Sequence, residues 1–187
     1  MGASIKHITI DDKKIPVVFE KHNSLPIFNL QLVFKNSGYS QDNNNPGITS
    51  LLSTILNEGT LKDGSVNFAR QLESKAISIH TTNGYETFVI EVSSLKDQYK
   101  TALNYLEDLL LDPNFNEDTL EKIKTLHISK LKQKENDFDY IASRNLKSLV
   151  FKNTPLEYGN SGTIDSISKI TLEDIKSQYK SLFNLDN

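Results

Sequence analysis

Apolar and polar residues alternate most regularly between Ile27 and Lys35, where Phe28, Leu30, Leu32 and Phe34 interleave with Asn29, Gln31, Val33 and Lys35. That period of two predicts a strand whose first set faces a core. Two weaker strands precede it, Ile5 to Ile10 and Lys14 to Lys21, joined through Asp11-Asp12-Lys13 as a hairpin. Ile77 to Thr81 and Thr87 to Val92 flank Asn83-Gly84, a favourable reversal for antiparallel strands, and place Phe88, Ile90 and Val92 on one face.

Elsewhere the period lengthens. After Asn45-Pro46-Gly47, the residues Ile48, Leu51, Leu52, Ile55 and Leu56 recur at helical spacing until Gly59. Ser65 to Ser74 predicts a second helix, and Lys96 to Leu111 a third, stopped by Asp112-Pro113. A long helix is expected from about Asn116 to Glu135, with Leu120, Ile123, His127 and Leu131 as its seam. Another follows from roughly Asp139 to Phe151. The last, Leu172 to Leu182, opens with Thr171 three residues before Asp174, a relative of the capping box.

Strands gather early and helices late, which is an α+β order rather than βαβ alternation. We expect one mostly antiparallel sheet of five to six strands with helices packed on one face. No interior linker divides the chain, since Ser37 to Asn45 is only a connection, so residues 1–187 read as one domain.

Composition narrows the chemistry. The 187 residues contain no cysteine, which removes disulfides, thiolate metal sites and a thiol nucleophile. The formal charge of -3 and the lack of aromatic residues among Lys122, Lys124, Lys130, Lys132 and Lys134 argue against nucleic acid, and these lysines are expected to solvate the polar arc of their helix. No apolar run approaches a membrane span, and Met1-Gly2-Ala3-Ser4 leads into structured sequence without a signal-peptide core, leaving the compartment open. Gly159 and Gly162 lack phosphate-loop spacing.

The four histidines, His7, His22, His80 and His127, form no i, i+4 pair and fall on different elements. His127, on an apolar seam, reads as a hydrogen-bonded boundary histidine, and His80 as solvated. Glu117, Asp118 and Glu121 complement the positive end of a helix dipole. Glu58 reads as an exposed helix-terminal acid.

Five ordered segments together resemble the N-terminal domain of the insulinase and pitrilysin family of zinc metallopeptidases, which includes the mitochondrial processing peptidases. Ile15 to Glu20 followed by Leu25-Pro26-Ile27 is similar to the opening hairpin, and Leu32 to Gly38 to the next strand and its glycine turn. Pro46-Gly47-Ile48 to Glu58-Gly59-Thr60 occupies the place of the signature helix, which characteristically ends in Gly-Thr. Leu110 to Phe115 resembles the lead into the long helix. Tyr158-Gly159, Gly162 to Ile167 and Ile170 to Ile175 resemble the closing pattern, so the likeness spans about Lys6 to Phe183.

The resemblance implies an inverted zinc motif, His-x-x-Glu-His, on the signature helix. There two imidazoles share a helix face and the carboxylate activates a metal-bound water, with a further Glu from the long helix as third ligand. Aligned on Gly59-Thr60, this chain carries Ser50 at the first His, Ser53 at the base and Thr54 at the second His. The third ligand falls near Ser129 to Leu131, with Lys130 in the most natural register. Hydroxyls are poor zinc ligands at neutral pH and an ammonium repels a dication.

The expectation is therefore a domain without intact catalytic residues, metal or cofactor of its own. It reads as the non-catalytic, substrate-enclosing member of a processing-peptidase-like assembly. Zinc would lie in a homologous partner subunit or elsewhere in a longer two-domain protein, with an extended peptide as substrate. Two alternatives stay open: the inactive half of a chain whose other part carries zinc catalysis, and a non-proteolytic scaffolding core subunit.

Overall fold

The computed structural model describes residues 2–21, 24–42 and 44–186. Its first element is a hairpin of β1 (Ser4–Ile10) and β2 (Lys13–Phe19), paired antiparallel with Ile5 opposite Val18 and Ile8 opposite Ile15. Asp11 and Asp12 both adopt positive φ, 48° and 63°, as a two-residue primed turn requires. A separate sheet holds β3 (Ile27–Lys35), β4 (Ser78–Asn83) and β5 (Thr87–Leu95) in the order β3-β5-β4, all antiparallel.

The α+β class and the antiparallel strands agree with the sequence pattern, but the five strands form two sheets rather than one. The reason lies in β1. Its apolar residues Ile5, Ile8 and Ile10 change face partway along the strand, so no single side is specified for burial. All of β1 is exposed. β5, by contrast, buries Phe88, Ile90, Val92 and Ser94 on one face and is the central strand of its sheet.

Among the described residues there are seven helices, α1 (Ile48–Leu56), α2 (Gly64–Glu73), α3 (Tyr99–Leu111), α4 (Glu117–Lys134), α5 (Phe138–Val150), α6 (Ile164–Lys169) and α7 (Leu172–Leu182), and all but α6 follow the predicted periodicity with shifts of up to three residues at their ends. A 3-10 turn at Lys96–Gln98 replaces the expected first turn of α3. α6 is too short for its periodicity to be read from sequence. It starts where Thr163 and Ser166 exchange side-chain and backbone hydrogen bonds as a capping box, and Thr171 with Asp174 does the same for α7.

α1 is the centre of the molecule. Seven of its nine residues are buried, and it packs against α4, α7 and β4. A helix apolar on most sides must sit inside, and Leu51, Leu52 and Ile55 are fully buried there together with Phe88, Ile90, Leu120 and Ile175. The start of α1 is held by close backbone approach. Gly162, at φ 63°, lies against the carbonyl of Pro46 so tightly that a Cβ would overlap it.

Two elements contribute little to this core. α5 buries none of its residues, and Phe138, Ala142, Leu146 and Leu149 run along one side of it, Phe138 being 86% and Leu149 78% exposed. The β1–β2 hairpin likewise leaves Ile5, Val18 and Phe19 exposed. Among the described residues, no helix is long and apolar enough to cross a membrane.

Candidate functional site

The entrance to α1 is built around a carboxylate that the sequence pattern passes over as part of a polar loop. Asp42 is buried, and one of its oxygens accepts the Gly47 amide at 2.8 Å. The other accepts the Thr49 amide at 3.2 Å and the Thr49 hydroxyl at 2.5 Å. Gln178 of α7 donates to the same Thr49 hydroxyl at 3.1 Å. An acid shortly before a helix start is the sequence signal for such a role.

Burial pushes the Asp42 carboxyl up to about 6, against the lowering effect of the Thr49 hydroxyl and the two amides. Its ordinary value is 3.8, so the folded chain holds one more proton than the unfolded chain between these limits. The contribution of Asp42 to stability is greatest below about pH 4 and declines as pH rises toward 6. Relative to Asp42→Asn, the wild-type melting temperature is expected to fall across that window. A difference between the two proteins that stays flat with pH, measured by calorimetry, would refute this.

On the body of α1 the candidate positions divide between two sides. Ser53 is buried and donates to the carbonyl of Thr81 on β4 at 3.0 Å, while the Thr81 hydroxyl donates to the Ser53 carbonyl at 2.7 Å. One turn on, Asn57 donates to the Thr81 carbonyl at 3.1 Å and accepts the Thr81 amide at 2.8 Å. β4 is an edge strand, so these two side chains clasp its outward backbone groups. Thr54 is exposed, and its hydroxyl donates back to the carbonyl of half-buried Ser50 at 2.9 Å.

Lys130 lies on the exposed side of α4, and the buried side chain beside it is Leu131. The structure thus brings Ser53 against the sheet, leaves Thr54 facing outward, and puts the Lys130 ammonium on the surface. Hydroxyls already donating to carbonyls, with an apolar residue on the inner side of α4, do not fit a zinc ion. Among the described residues, no group of three or more histidines and acids is placed to hold a metal.

The remaining candidates fall apart from one another. His127 is half-buried, with Nε2 2.8 Å from the Ser161 carbonyl, as its place on the seam predicts. Burial holds its pKa below the ordinary value, aided by the ammonium groups of Lys130 and Lys134 and opposed by the Ser161 hydrogen bond. The imidazole is then neutral at pH 7 and Nε2–H donates. His80 is exposed on β4 opposite Glu91, His7 is on the exposed hairpin, and His22 lies outside the described residues.

Glu58 is half-buried, and its main-chain carbonyl accepts from Asn114 at 3.1 Å. One lysine departs from the expected solvated arc. Lys124 is buried and donates to the Ile170 carbonyl at 3.0 Å and to Glu121 at 2.8 Å. Its long apolar stem lets an ammonium reach a carbonyl from a core-facing position.

Known proteins are similar to this chain in sequence and fold. The sequence model of the family described as Insulinase (Peptidase family M16) matches residues 17–163. A protein of Helicobacter pylori named non-peptidase homolog YmxG is 40% identical over 185 residues, covering 99% of this chain and 43% of that protein. Subunit 1 of the mitochondrial cytochrome b-c1 complex of Saccharomyces cerevisiae is 26% identical, covering 86% of this chain and 35% of its own. The crystal structure of a peptidase M16 inactive domain from Pseudomonas fluorescens superposes with a TM-score of 0.85 at 25% identity, over 94% of this chain and 43% of that one. The chain spans less than half the length of the curated relatives it matches.

Proposed function

We propose, because the chain belongs to the insulinase family of peptidases (family M16), that it is the non-catalytic, substrate-enclosing half of a larger peptidase assembly. Hydrolysis belongs to a homologous zinc-bearing subunit or second domain. In this reading Ser50, Ser53, Thr54 and Lys130 stand where the active members carry two histidines, the general base and the third ligand. One observation carries it: the hydroxyl at the base position is locked into a reciprocal pair with Thr81, and the one at the second histidine position bonds its own helix. A side chain so engaged neither ligates a dication nor shuttles a proton.

Further support comes from what the fold leaves bare. The apolar side of α5 and the β1–β2 hairpin present surface of the kind a second domain covers. Residues 1–187 are then one domain of a longer two-domain protein, in keeping with the lengths of its relatives. An extended peptide would add to a sheet edge, where main-chain hydrogen bonds make little demand on sequence. With the backbone of Thr81 clasped by α1, the opposite edge strand of that sheet, β3, offers its outer edge for such pairing.

The likeness to a cytochrome b-c1 subunit favours a second reading, a scaffolding subunit without proteolysis. Co-purification separates the two, a stoichiometric zinc-bearing homologue supporting the first and a large membrane complex the second. The direct test is cleavage of a fluorogenic peptide, with metal analysis. The chain alone is expected to hold less than about 0.1 zinc per molecule and to release no product, while the zinc-bearing partner gains at least about tenfold in rate on its addition. Chelator-sensitive cleavage by the chain alone would overturn the proposal.

A further inference from the structure

His127, Lys130 and Lys134 follow one another along α4 at i, i+3 and i+7, which sets three basic groups on one side of the helix. They line an open cavity of about 330 Å³, closed by Ser161 from the loop before α6 and by Asp137 at the start of α5. We infer that this cavity is a binding site for a carboxylate group.

The charge around it is unbalanced. Among the described residues, neither Lys130 nor Lys134 takes part in an ion pair. Two like charges four residues apart on a helix repel, and nothing lining the cavity offsets them fully. Asp137, the single acid among the described residues that line it, has one oxygen engaged by the Asp139 and Tyr140 amides at 3.0 and 3.1 Å as the cap of α5. Lys134 is positioned 5.2 Å above the Tyr140 ring, which leaves its ammonium near the cavity without a counter-ion. This excess of positive charge stands on a chain whose net charge is -3.

The same features select the ligand. An anion gains from the two ammonium groups, and a monoanion costs far less to take out of water against an apolar floor than a phosphate dianion does. Buried Leu131 supplies an apolar floor, which suits a carboxylate on a short hydrocarbon stem. The volume is at the small end for ligand cavities, enough for one side chain or one chain terminus. Both an acidic side chain and the C-terminus of a peptide present this chemistry. The site uses no residue of α1 and shares only Lys130 with the degenerate zinc positions, so it stands whether or not the chain encloses a peptidase cleft.

NMR of the His127 imidazole, assigned with His127→Gln, tests the inference at constant ionic strength. The probes are N-acetylglutamic acid α-amide for a side-chain carboxylate, N-acetylleucine for a terminal one, N-acetylglutamine amide as the neutral control, and inorganic phosphate. At least one carboxylate is expected to shift the signal saturably, the tighter of the two identifying the source, with no response to the neutral amide. The exposed pair Lys130→Gln/Lys134→Gln is expected to weaken binding at least about tenfold, and Lys122→Gln/Lys132→Gln less than about twofold. The absence of saturation by either carboxylate, tighter binding of phosphate, a response to the neutral amide, or equal losses in the two double variants would overturn it.

Discussion

Replacing Phe88 by alanine is expected to destabilise the chain by about 3–5 kcal/mol, the range for removing a large aromatic side chain from a packed interior. Phe88 is fully buried on the central strand β5. Its ring meets Phe183 edge-on at 5.1 Å, Phe183 meets Phe34 at 4.6 Å and Tyr179 at 4.6 Å, and Tyr179 meets Phe115 at 5.3 Å. This chain of rings fastens the end of α7 to the sheet, helped by the Ser37 hydroxyl, which donates to the Leu182 carbonyl at 3.2 Å. Removing its innermost member leaves a hole that rigid neighbours on two elements cannot close. Urea unfolding measures the loss, and amide exchange along α7 is expected to accelerate with it. Tyr179→Phe is the contrast. It keeps the ring and deletes only the hydroxyl donated to the Leu110 carbonyl at 2.7 Å, for a loss of about 1 kcal/mol. A Phe88→Ala protein within about 1 kcal/mol of wild type by the same method would show that the ring contacts do not hold α7.

That ring cluster also marks the limit of what periodicity reveals. The alternation in β3 and β5 and the spacing in α1, α4 and α7 were legible because each residue's face follows from its own neighbours. Phe88 and Phe34 could be assigned to a core in that way. Their meeting with Phe183, some 95 positions beyond Phe88, is a tertiary fact with no local trace. The same distinction explains the hairpin. β1 and β2 were legible as strands, while their separation from β3 follows from an apolar set that switches face. Asp42 read as loop because its partners are amides and a hydroxyl of the next element, and Lys124 read as surface because composition does not say which lysine stem runs inward. At the candidate site, adjacency misled most. Ser53 and Thr54 are neighbours in sequence, yet about 100° of helical turn puts one against β4 and the other in solvent.

Because Ser53 occupies the sheet-facing side, Ser53→Glu is expected to destabilise the fold by about 3 kcal/mol or more, through overpacking and an unpaired buried charge. The serine hydroxyl fits between α1 and β4 with Thr81 at 3.0 and 3.2 Å. Glutamate adds three heavy atoms to a closed space and sets its oxygens against the Thr81 carbonyl, an acceptor facing an acceptor. The carboxyl would have to enter protonated or force β4 away, and the Asn57 clasp on Thr81 would open with it. Ser50→His and Thr54→His meet no such obstacle, since Thr54 is exposed and Ser50 half-buried, and each is expected to change stability by less than about 1 kcal/mol. Restoring all three positions is therefore expected to loosen the sheet edge before it assembles a metal site. The readouts are the melting temperature and amide exchange in β4, each with and without added zinc. A triple variant that melts as wild type does, and is further stabilised by zinc, would mean that the clasp on Thr81 yields easily. The chain would then have lost its chemistry at the ligands alone, with the surrounding fold still shaped to accept them.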